Sequence, residues 1–452
     1  MTSRKQLKAR IRARMAKTGE RYATARAHLN GNGTDPVHID HGWTLRGGTD
    51  PDAAGLAALL AHHNVTGPDG PLTEAMLFGV GGGLGAGYIL WEFKHDNSRV
   101  VVLGFANQWQ YFDRRTERTL ARLGVDARWH RTGGARGAAT RLTAELDAGN
   151  PAMVWPDRYH LGYWGLPAFL DGHGGHPVIV YAQENGRAHL DDRNLAPLTV
   201  ARDDLDRARA RVGSYRNALL VIDDARPVTA EQLRQAVRAG LRDVAAHLSG
   251  PSTSFSLPAW RAWSRMLTDT RAAKAWPQVF ADRVGLTDAL LNVWEGIEPA
   301  GMTGGNLRLL FAEFLTQAAA LLDRPALAEH AALWRTAAER WHTLAETALP
   351  ADLPMPARLR ELTATVSSAV AHGDDAAAER DEAAEQLWRL RAEHASTPPF
   401  DDDTIGERLA AMSRILGEIH EAETTASTAL RTIIEPETEY PEPTDKSSAA
   451  LS

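Results

Sequence analysis

The pattern of apolar and polar positions divides the chain into two regions. Over residues 37–224, short β-rich runs such as RVVVLGFA and HPVIVYAQ alternate with runs of helical spacing such as TEAMLFG and AATRLTAELDAG. Over residues 229–434, Ala, Leu, Arg and Glu recur at helical period, as in EQLRQAVRAGLRDVAAHL. The pattern therefore predicts an α/β or α+β domain followed by an all-α helical domain.

Both ends of the chain depart from this pattern. Residues 4–28 carry nine basic side chains and one acid, a net charge of +8, and a linker, NGNGTDP, follows them. The last residues, EPETEYPEPTDKSSAALS, are acidic and rich in Pro and Ser. We expect a basic helical N-terminal arm over 1–30 and a disordered acidic tail over 435–452. The arm could hold nucleic acid or an acidic partner, or it could dock on the acidic body of its own chain.

Composition limits the class of protein. A chain of 452 residues, 44% of them hydrophobic, is long enough for two or three domains with apolar cores. No apolar run approaches the roughly 20 residues of a membrane helix, and the basic N-terminus lacks the apolar core of a secretory signal. We therefore expect a cytoplasmic protein. The absence of cysteine excludes disulfides, thiolate metal sites and cysteine nucleophiles.

A glycine-rich run, FGVGGGLGAGYILWEF at residues 78–93, does not fit a nucleotide-binding motif. None of its registers gives G-x-G-x-x-G, and the Lys-Ser/Thr pair of a P-loop is absent. Glycines at this density are typical of a backbone that passes close to another backbone or to a ligand. The sequence thus indicates no cofactor.

The segment GGTDPDAAGLAALLAHHNV at residues 47–65 predicts a helix with a well-defined start. Asp50 suits the N-cap position and Pro51 suits the first helical position. In many folds the head of such a helix holds a nucleophile, because its free N–H groups stabilise negative charge. Pro51 has no reactive atom, and Thr49, the nearest hydroxyl, precedes the helix without any sign of activation.

A second segment, DGHGGHPVIVYAQENGRAHLDDRN at residues 171–194, predicts a β-hairpin. Antiparallel pairing around residues 184–186 could bring His176, at the start of the first strand, near Asp192, at the end of the second. An imidazole backed by a carboxylate is the usual general base, whereas a purely structural pair is the alternative.

Two sets of residues offer a metal site as a further alternative. One pairs His173 with His176, and the other combines His38 with Asp40 and His41. Imidazole and carboxylate groups are common zinc ligands, but neither set has a clear additional ligand in the sequence. We therefore predict no metal site, and these two sets remain the alternative.

Five segments together resemble a known family in their order and spacing. GGTDPDAAGLAALLAHHNV, LTEAMLFGVGGGLGAGYILWEF, NPAMVWPDRYHLGYW, GHPVIVYAQENGRAHLDDRN and DDLDRARA resemble the N-terminal domain family of butirosin biosynthesis protein H (BtrH). The segments FSLPAWRAWSRML, AWPQVFAD and GMTGGNLRLLFAEFL look like the helical domain that commonly follows it. The resemblance covers about residues 37–430 and implies a papain-like core.

The resemblance also assigns positions in the site. The family's His-Cys pair falls on Asp50 and Pro51, its strand-start histidine on His176, and its aspartate on Asp192. The name member transfers an acyl group from a carrier-protein thioester to an aminoglycoside amine. Covalent chemistry at Pro51 is excluded, because proline has no nucleophile.

Two hypotheses from different classes follow. In the first, the protein is a pseudoenzyme of specialised-metabolite biosynthesis that binds an acyl carrier, a peptide or a metabolite. In the second, it is an acyl- or aminoacyltransferase, in which His176, oriented by Asp192, deprotonates a small-molecule amine that attacks a carrier thioester directly. The missing nucleophile favours the binding role. Nucleic-acid binding through residues 4–28 and metal-assisted chemistry are further alternatives.

The helical half offers two further features. Trp260, Trp263 and Trp276 lie at helical spacing, which is more typical of core residues than of ligand platforms. The GMTGGN segment at 301–306 is expected to make a tight turn near the site, where the two domains would contact each other through apolar faces.

Overall fold

The computed structural model describes residues 36–93, 98–223, 226–398 and 400–434. The predicted basic arm and acidic tail lie outside these residues. The described chain has an α+β architecture, in which a six-stranded antiparallel sheet and short ribbons precede a helical part. None of the described helices is both long enough and apolar enough to cross a membrane.

The strands fall in the first half of the described chain and are mostly short. In chain order they are β1 (Val37–His38), β2 (Thr44–Leu45), β3 (Thr66–Gly67), β4 (Gly70–Pro71), β5 (Leu84–Phe93), β6 (Ser98–Ala106), β7 (Ala127–His130), β8 (Ala152–Val154), β9 (Val178–Glu184), β10 (Arg187–Asp191), β11 (Leu198–Ala201) and β12 (Leu219–Ile222).

The helices alternate with these strands at first and then follow one another. In chain order they are α1 (Pro51–His62), α2 (Glu74–Val80), α3 (Arg114–Leu123), α4 (Ala135–Asp147), α5 (Arg158–Leu161), α6 (Arg202–Arg211), α7 (Ala230–Leu248), α8 (Pro258–Met266), α9 (Trp276–Val279), α10 (Leu286–Ile297), α11 (Arg308–Leu322), α12 (Pro325–Ala348), α13 (Pro354–Ala371), α14 (Ala377–Glu393) and α15 (Asp402–Ile434).

The main sheet has the strand order β11-β10-β9-β8-β12-β7, with every neighbouring pair antiparallel. The β9–β10 hairpin turns at Asn185 and Gly186, both with positive φ, as the sequence predicts. Its register pairs Asp191 with Ile179, so the start of β9 and the end of β10 lie at the same end of the hairpin. This register positions the candidate site.

Helix α1 begins as the sequence predicts and lies against this sheet. The side chain of Asp50 accepts a hydrogen bond from the N–H of Ala53, and Pro51 occupies the first turn. The helix buries Leu56, Leu59 and Leu60 in the core. A Cβ on Gly55 would lie 3.5 Å from Ile179 of β9, so the helix packs closely on the strand that follows His176.

The helical part packs directly on the first half of the chain. A Cβ on Gly240 of α7 would lie 2.2 Å from the carbonyl oxygen of Gly79 in α2, and a Cβ on Gly79 would lie 2.2 Å from the ring of Phe314. Only glycine permits this approach. Trp260, Trp263 and Trp276 are each 0% exposed, so their predicted place in the core is confirmed.

Candidate functional site

The structure brings His176 and Asp192 together, as the hairpin register predicts. Nε2 of His176 lies 2.7 Å from Oδ1 of Asp192, and both side chains are fully buried. His176 precedes β9 and its N–H donates to the carbonyl of Pro156, while Asp192 directly follows β10. The backbone therefore holds both members of the pair in place.

The carboxylate of Asp192 collects further donors. Tyr163 Oη and Trp164 Nε1 donate to its Oδ2 at 2.9 and 3.2 Å, and Arg193 Nη2 lies 3.4 Å from its Oδ1. Burial opposes ionisation, but interaction with His176, Arg193 and Tyr163 lowers the pKa of Asp192 to about 2. Asp192 is thus a buried anion held by four donors.

The second ring nitrogen of His176 is also engaged. Arg158 Nη2 donates to Nδ1 of His176 at 3.2 Å. A guanidinium has no acceptor atom, so Nδ1 must carry the lone pair and Nε2 must carry the proton that it donates to Asp192. Burial lowers the pKa of His176 to about 4, with the Arg158 charge acting in the same direction and Asp192 opposing it. His176 is therefore neutral near pH 7.

The head of α1 holds an ion cluster in place of a nucleophile. Asp50 is 2% exposed and accepts from Arg115 Nη2 at 3.0 Å in addition to capping the helix. Asp52, one position after Pro51, binds the same guanidinium. The two carboxylates and one guanidinium stabilise the helix start and leave it without a reactive group.

Glu74, the first residue of α2, holds the segment just before α1. Its Oε1 accepts the N–H groups of Thr49 and Asp50 at 2.8 and 2.6 Å. Burial raises the pKa of Glu74 to about 7, although the two N–H donors act in the opposite direction. Thr49 thus serves as a backbone anchor, with its N–H bound to Glu74.

Arg193 connects the buried pair to the head of α1 and to the helical part. Its Nη1 donates to the carbonyl of Thr49 at 3.0 Å, and its Nη2 donates to the carbonyl of Met302 at 3.1 Å. Met302 belongs to the GMTGGN turn, and a Cβ on Gly304 of that turn would lie 2.1 Å from the Thr49 carbonyl oxygen. The turn therefore lies directly on the candidate site.

Two family models match consecutive segments of the chain. Residues 50–193 match the family model described as butirosin biosynthesis protein H, N-terminal. These residues form a BtrH N-terminal domain. Residues 203–377 match the model described as a domain of unknown function, DUF4872. No curated protein matches the chain.

The segment that matches the BtrH model contains site residues that the sequence patterns predict and three, Glu74, Arg158 and Arg193, that they do not. Asp50, His176 and Asp192 were singled out by cap and hairpin patterns, whereas Arg158 and Glu74 were not. Glu74 follows Thr73, the N-cap of α2, and looks in sequence like an ordinary first-turn acid. Arg158 follows the N-cap Asp157, so it also has a local reading as a helix residue.

The structure does not bring together either of the two sets that the sequence offers as alternative metal ligands. His173 stacks on Phe93 with ring centroids 5.1 Å apart, and His38 lies beside Thr44 Oγ1 at 2.9 Å. Within the described ranges, the groups of three or more residues with clustered His and carboxylate atoms are His41 with Glu184 and His189, and Asp157 with His160 and Asp171. His41 of the second set thus lies in one of these groups, whereas His38, Asp40, His173 and His176 lie in neither.

The site is closed by its own side chains. Two surface depressions of about 530 Å³ each lie along α4 and between α4 and α6, lined by residues such as Arg136 and Thr140. Neither depression is lined by His176, Asp192 or Pro51. Both side chains of the pair are fully buried, so access to them requires movement of a neighbouring group, and the turn that carries Met302 is a neighbour of Arg193.

Proposed function

We propose that this chain is a papain-like, BtrH-type protein of specialised-metabolite biosynthesis that binds an acyl carrier, a peptide or a metabolite and forms no acyl-enzyme. Helix α1 packs on β9, the strand that follows His176, and Asp192 follows the adjoining strand β10, which supports the papain-like relationship. The BtrH family match supports the biosynthetic setting.

The observation that carries the binding role is the hydrogen bond from Arg158 to His176. A general base must offer a lone pair to the substrate proton, and the lone pair on Nδ1 already accepts from Arg158 at 3.2 Å. The other ring nitrogen donates to Asp192 at 2.7 Å. With Pro51 at the nucleophile position, the site lacks both a nucleophile and an available base.

The second candidate function, amide formation by direct attack of an amine on a carrier thioester, draws on the same pair. An imidazole oriented by a buried carboxylate at 2.7 Å is the arrangement that general-base catalysis requires. In this reaction the amine proton would pass to Nδ1, the amine nitrogen would bond to the acyl carbon, and the thiolate would leave. Arg158 would first have to move away from Nδ1.

An assay with a simple thioester separates the two functions. The full-length protein is incubated with acetyl-pantetheine and glucosamine, and thiol release, amide product and the intact protein mass are measured. We expect no acetylated protein and thiol release at the uncatalysed rate, together with saturable binding of the thioester by calorimetry. Thiol release above the uncatalysed rate that is lost in His176→Gln would establish the transferase instead.

A further inference from the structure

Arg158 is a half-buried cation with weak acceptors. Its Nη2 donates to the imidazole of His176 at 3.2 Å, and its Nη1 lies 3.8 Å from Sδ of Met302. Its Nε is buried and, within the described ranges, has no hydrogen-bond partner. A thioether is a poor acceptor, so two edges of the guanidinium remain unsatisfied.

Two other arginines with little exposed surface, Arg308 and Arg391, bind carboxylates. Arg308 is fully buried and binds Glu423 through two nitrogens at 2.8 Å each. Arg391, with 12% of its side chain exposed, binds Asp288 at 2.8 Å. Arg158 has no such carboxylate among its hydrogen-bond partners in the described structure. The usual acceptor of such a guanidinium is therefore missing here.

The local charge balance points the same way. Arg193 lies 3.4 Å from the ionised carboxylate of Asp192, whereas Arg158 contacts the neutral imidazole of His176. Burial lowers the pKa of Arg158, and the charge of Arg193 acts in the same direction. An anion that binds beside Arg158 would offset the charge of its guanidinium directly.

We propose that Arg158 anchors an oxyanion, a carboxylate or a phosphate group, on the ligand of this site. The anion occupies the side of the guanidinium that now faces the Met302 sulfur, where it accepts from Nη1. Because Met302 lies in the turn of the helical part, ligand entry moves that turn. The proposal rests on the proposed binding function and defines the charge of the ligand.

The test uses inorganic phosphate and acetate as probes with the full-length protein. Thermal unfolding and calorimetric titration are compared with sodium chloride at matched ionic strength, so that screening is held constant. We expect one or both anions to raise the melting temperature. If only phosphate raises the melting temperature, the ligand is a phosphorylated carrier arm. If only acetate raises it, the ligand group is the carboxylate of a peptide or metabolite.

Three variants test whether Arg158 is the residue that binds the anion. Arg158→Met removes the guanidinium and should weaken anion binding about tenfold or more, whereas Arg158→Lys keeps the charge and should retain measurable binding. The control Arg391→Met removes an arginine that already has a carboxylate and should leave anion binding unchanged.

The outcomes separate this proposal from the proposed function. Equal anion binding in the wild-type protein, Arg158→Met and Arg391→Met, or no anion effect in any of them, would overturn the anion site while leaving thioester binding intact. His176-dependent thiol release would overturn the binding role, yet anion binding lost in Arg158→Met would still support the anchor.

Discussion

Arg158 Nη2 donates to Nδ1 of His176 at 3.2 Å, on the side of the ring opposite Asp192. The imidazole therefore bridges a half-buried cation and a buried anion, and both of its nitrogens are used within the protein. In a general-base site one nitrogen must face the substrate. The distance between His176 and Asp192 is that of a catalytic dyad. Because both ring nitrogens of His176 are bound within the protein, its environment is that of a structural pair.

The first prediction concerns the stability that Asp192 provides. Asp192→Asn should lower the free energy of unfolding by about 3 kcal/mol, because an amide cannot accept from all the donors that converge on the carboxylate and adds a donor of its own. Urea unfolding followed by circular dichroism measures the change.

A matched control is Asp171→Asn, which alters a half-exposed carboxylate bound to His160 and Arg211. This variant should change the free energy of unfolding little, because solvent screens the pair. If Asp192→Asn were as stable as Asp171→Asn, the structural role of the buried pair would be wrong.

The parts of the site that the sequence predicts are those set by local rules. Asp50 and Pro51 define a helix start through cap chemistry that involves adjacent residues. His176 and Asp192 meet because the register of a single hairpin brings them to the same end of its two strands. In both cases the decisive geometry lies within about one supersecondary unit.

The parts that the sequence does not predict depend on contacts between distant segments. Arg193 is 144 residues from Thr49 and 109 residues from Met302, yet it binds both carbonyls. Arg158 reaches Nδ1 of His176 only because α5 and the start of β9 are paired through Asp157 and Gly175. No local pattern marks such residues, since each also fits an ordinary surface helix or turn.

The second prediction is a pH dependence centred on Glu74. Its pKa in the folded protein is about 7, above its ordinary value of 4.5, so folding favours the protonated form. The stability of the wild-type protein therefore contains a term that falls as pH rises from about 4.5 through 7. Glu74→Gln lacks this term while its amide oxygen can still accept from Thr49 and Asp50.

We therefore expect the free energy of unfolding of Glu74→Gln, relative to wild type, to rise between pH 5 and 7 and to level off near pH 8. Urea titrations at four pH values measure it. The control is Asp282→Asn, because hydrogen bonds from Arg99 lower the pKa of Asp282. Its difference from wild type should be flat between pH 5 and 8, and a flat result for Glu74→Gln would contradict the raised pKa.

The third prediction tests the contact of the GMTGGN turn with the head of α1. Gly304 has φ +86°, and its Cβ would lie 2.1 Å from the Thr49 carbonyl oxygen, so Gly304→Ala forces the two segments apart. Gly149→Ala is the matched control, since Gly149 has φ +79° and its Cβ would meet nothing within 4 Å. Both variants carry the cost of positive φ, about 1 kcal/mol.

Gly304→Ala should therefore lose more stability than Gly149→Ala, and the excess reports the backbone clash. Hydrogen exchange should also increase in the peptides that contain Thr49 and Met302, and only in Gly304→Ala. Equal stability of the two variants would show that the turn moves freely away from α1 in the resting protein.

The last prediction concerns the buried ion pair behind this turn. Glu423 is fully buried and accepts from Arg308 at 2.8 Å and from the indole nitrogens of Trp341 and Trp260 at 2.7 and 3.1 Å. Arg308 Nη1 in turn donates to the carbonyl of Asn306, the last residue of the GMTGGN turn, at 2.8 Å. The pair thus connects the core of the helical part to the turn that contacts Arg158 and Arg193.

Glu423→Gln should lower the free energy of unfolding by about 3–5 kcal/mol, because it leaves a buried guanidinium without its anion. Since Arg308 also holds Asn306, the substitution should increase the rate of hydrogen exchange more in the 301–306 turn than in α11. The control is Glu385→Gln, which removes an exposed i,i+4 partner of Arg389 and should alter neither quantity. If Glu423→Gln destabilised the protein but left exchange in the turn unchanged, Asn306 would be held by backbone contacts alone, and the coupling between the helical core and the site would be wrong.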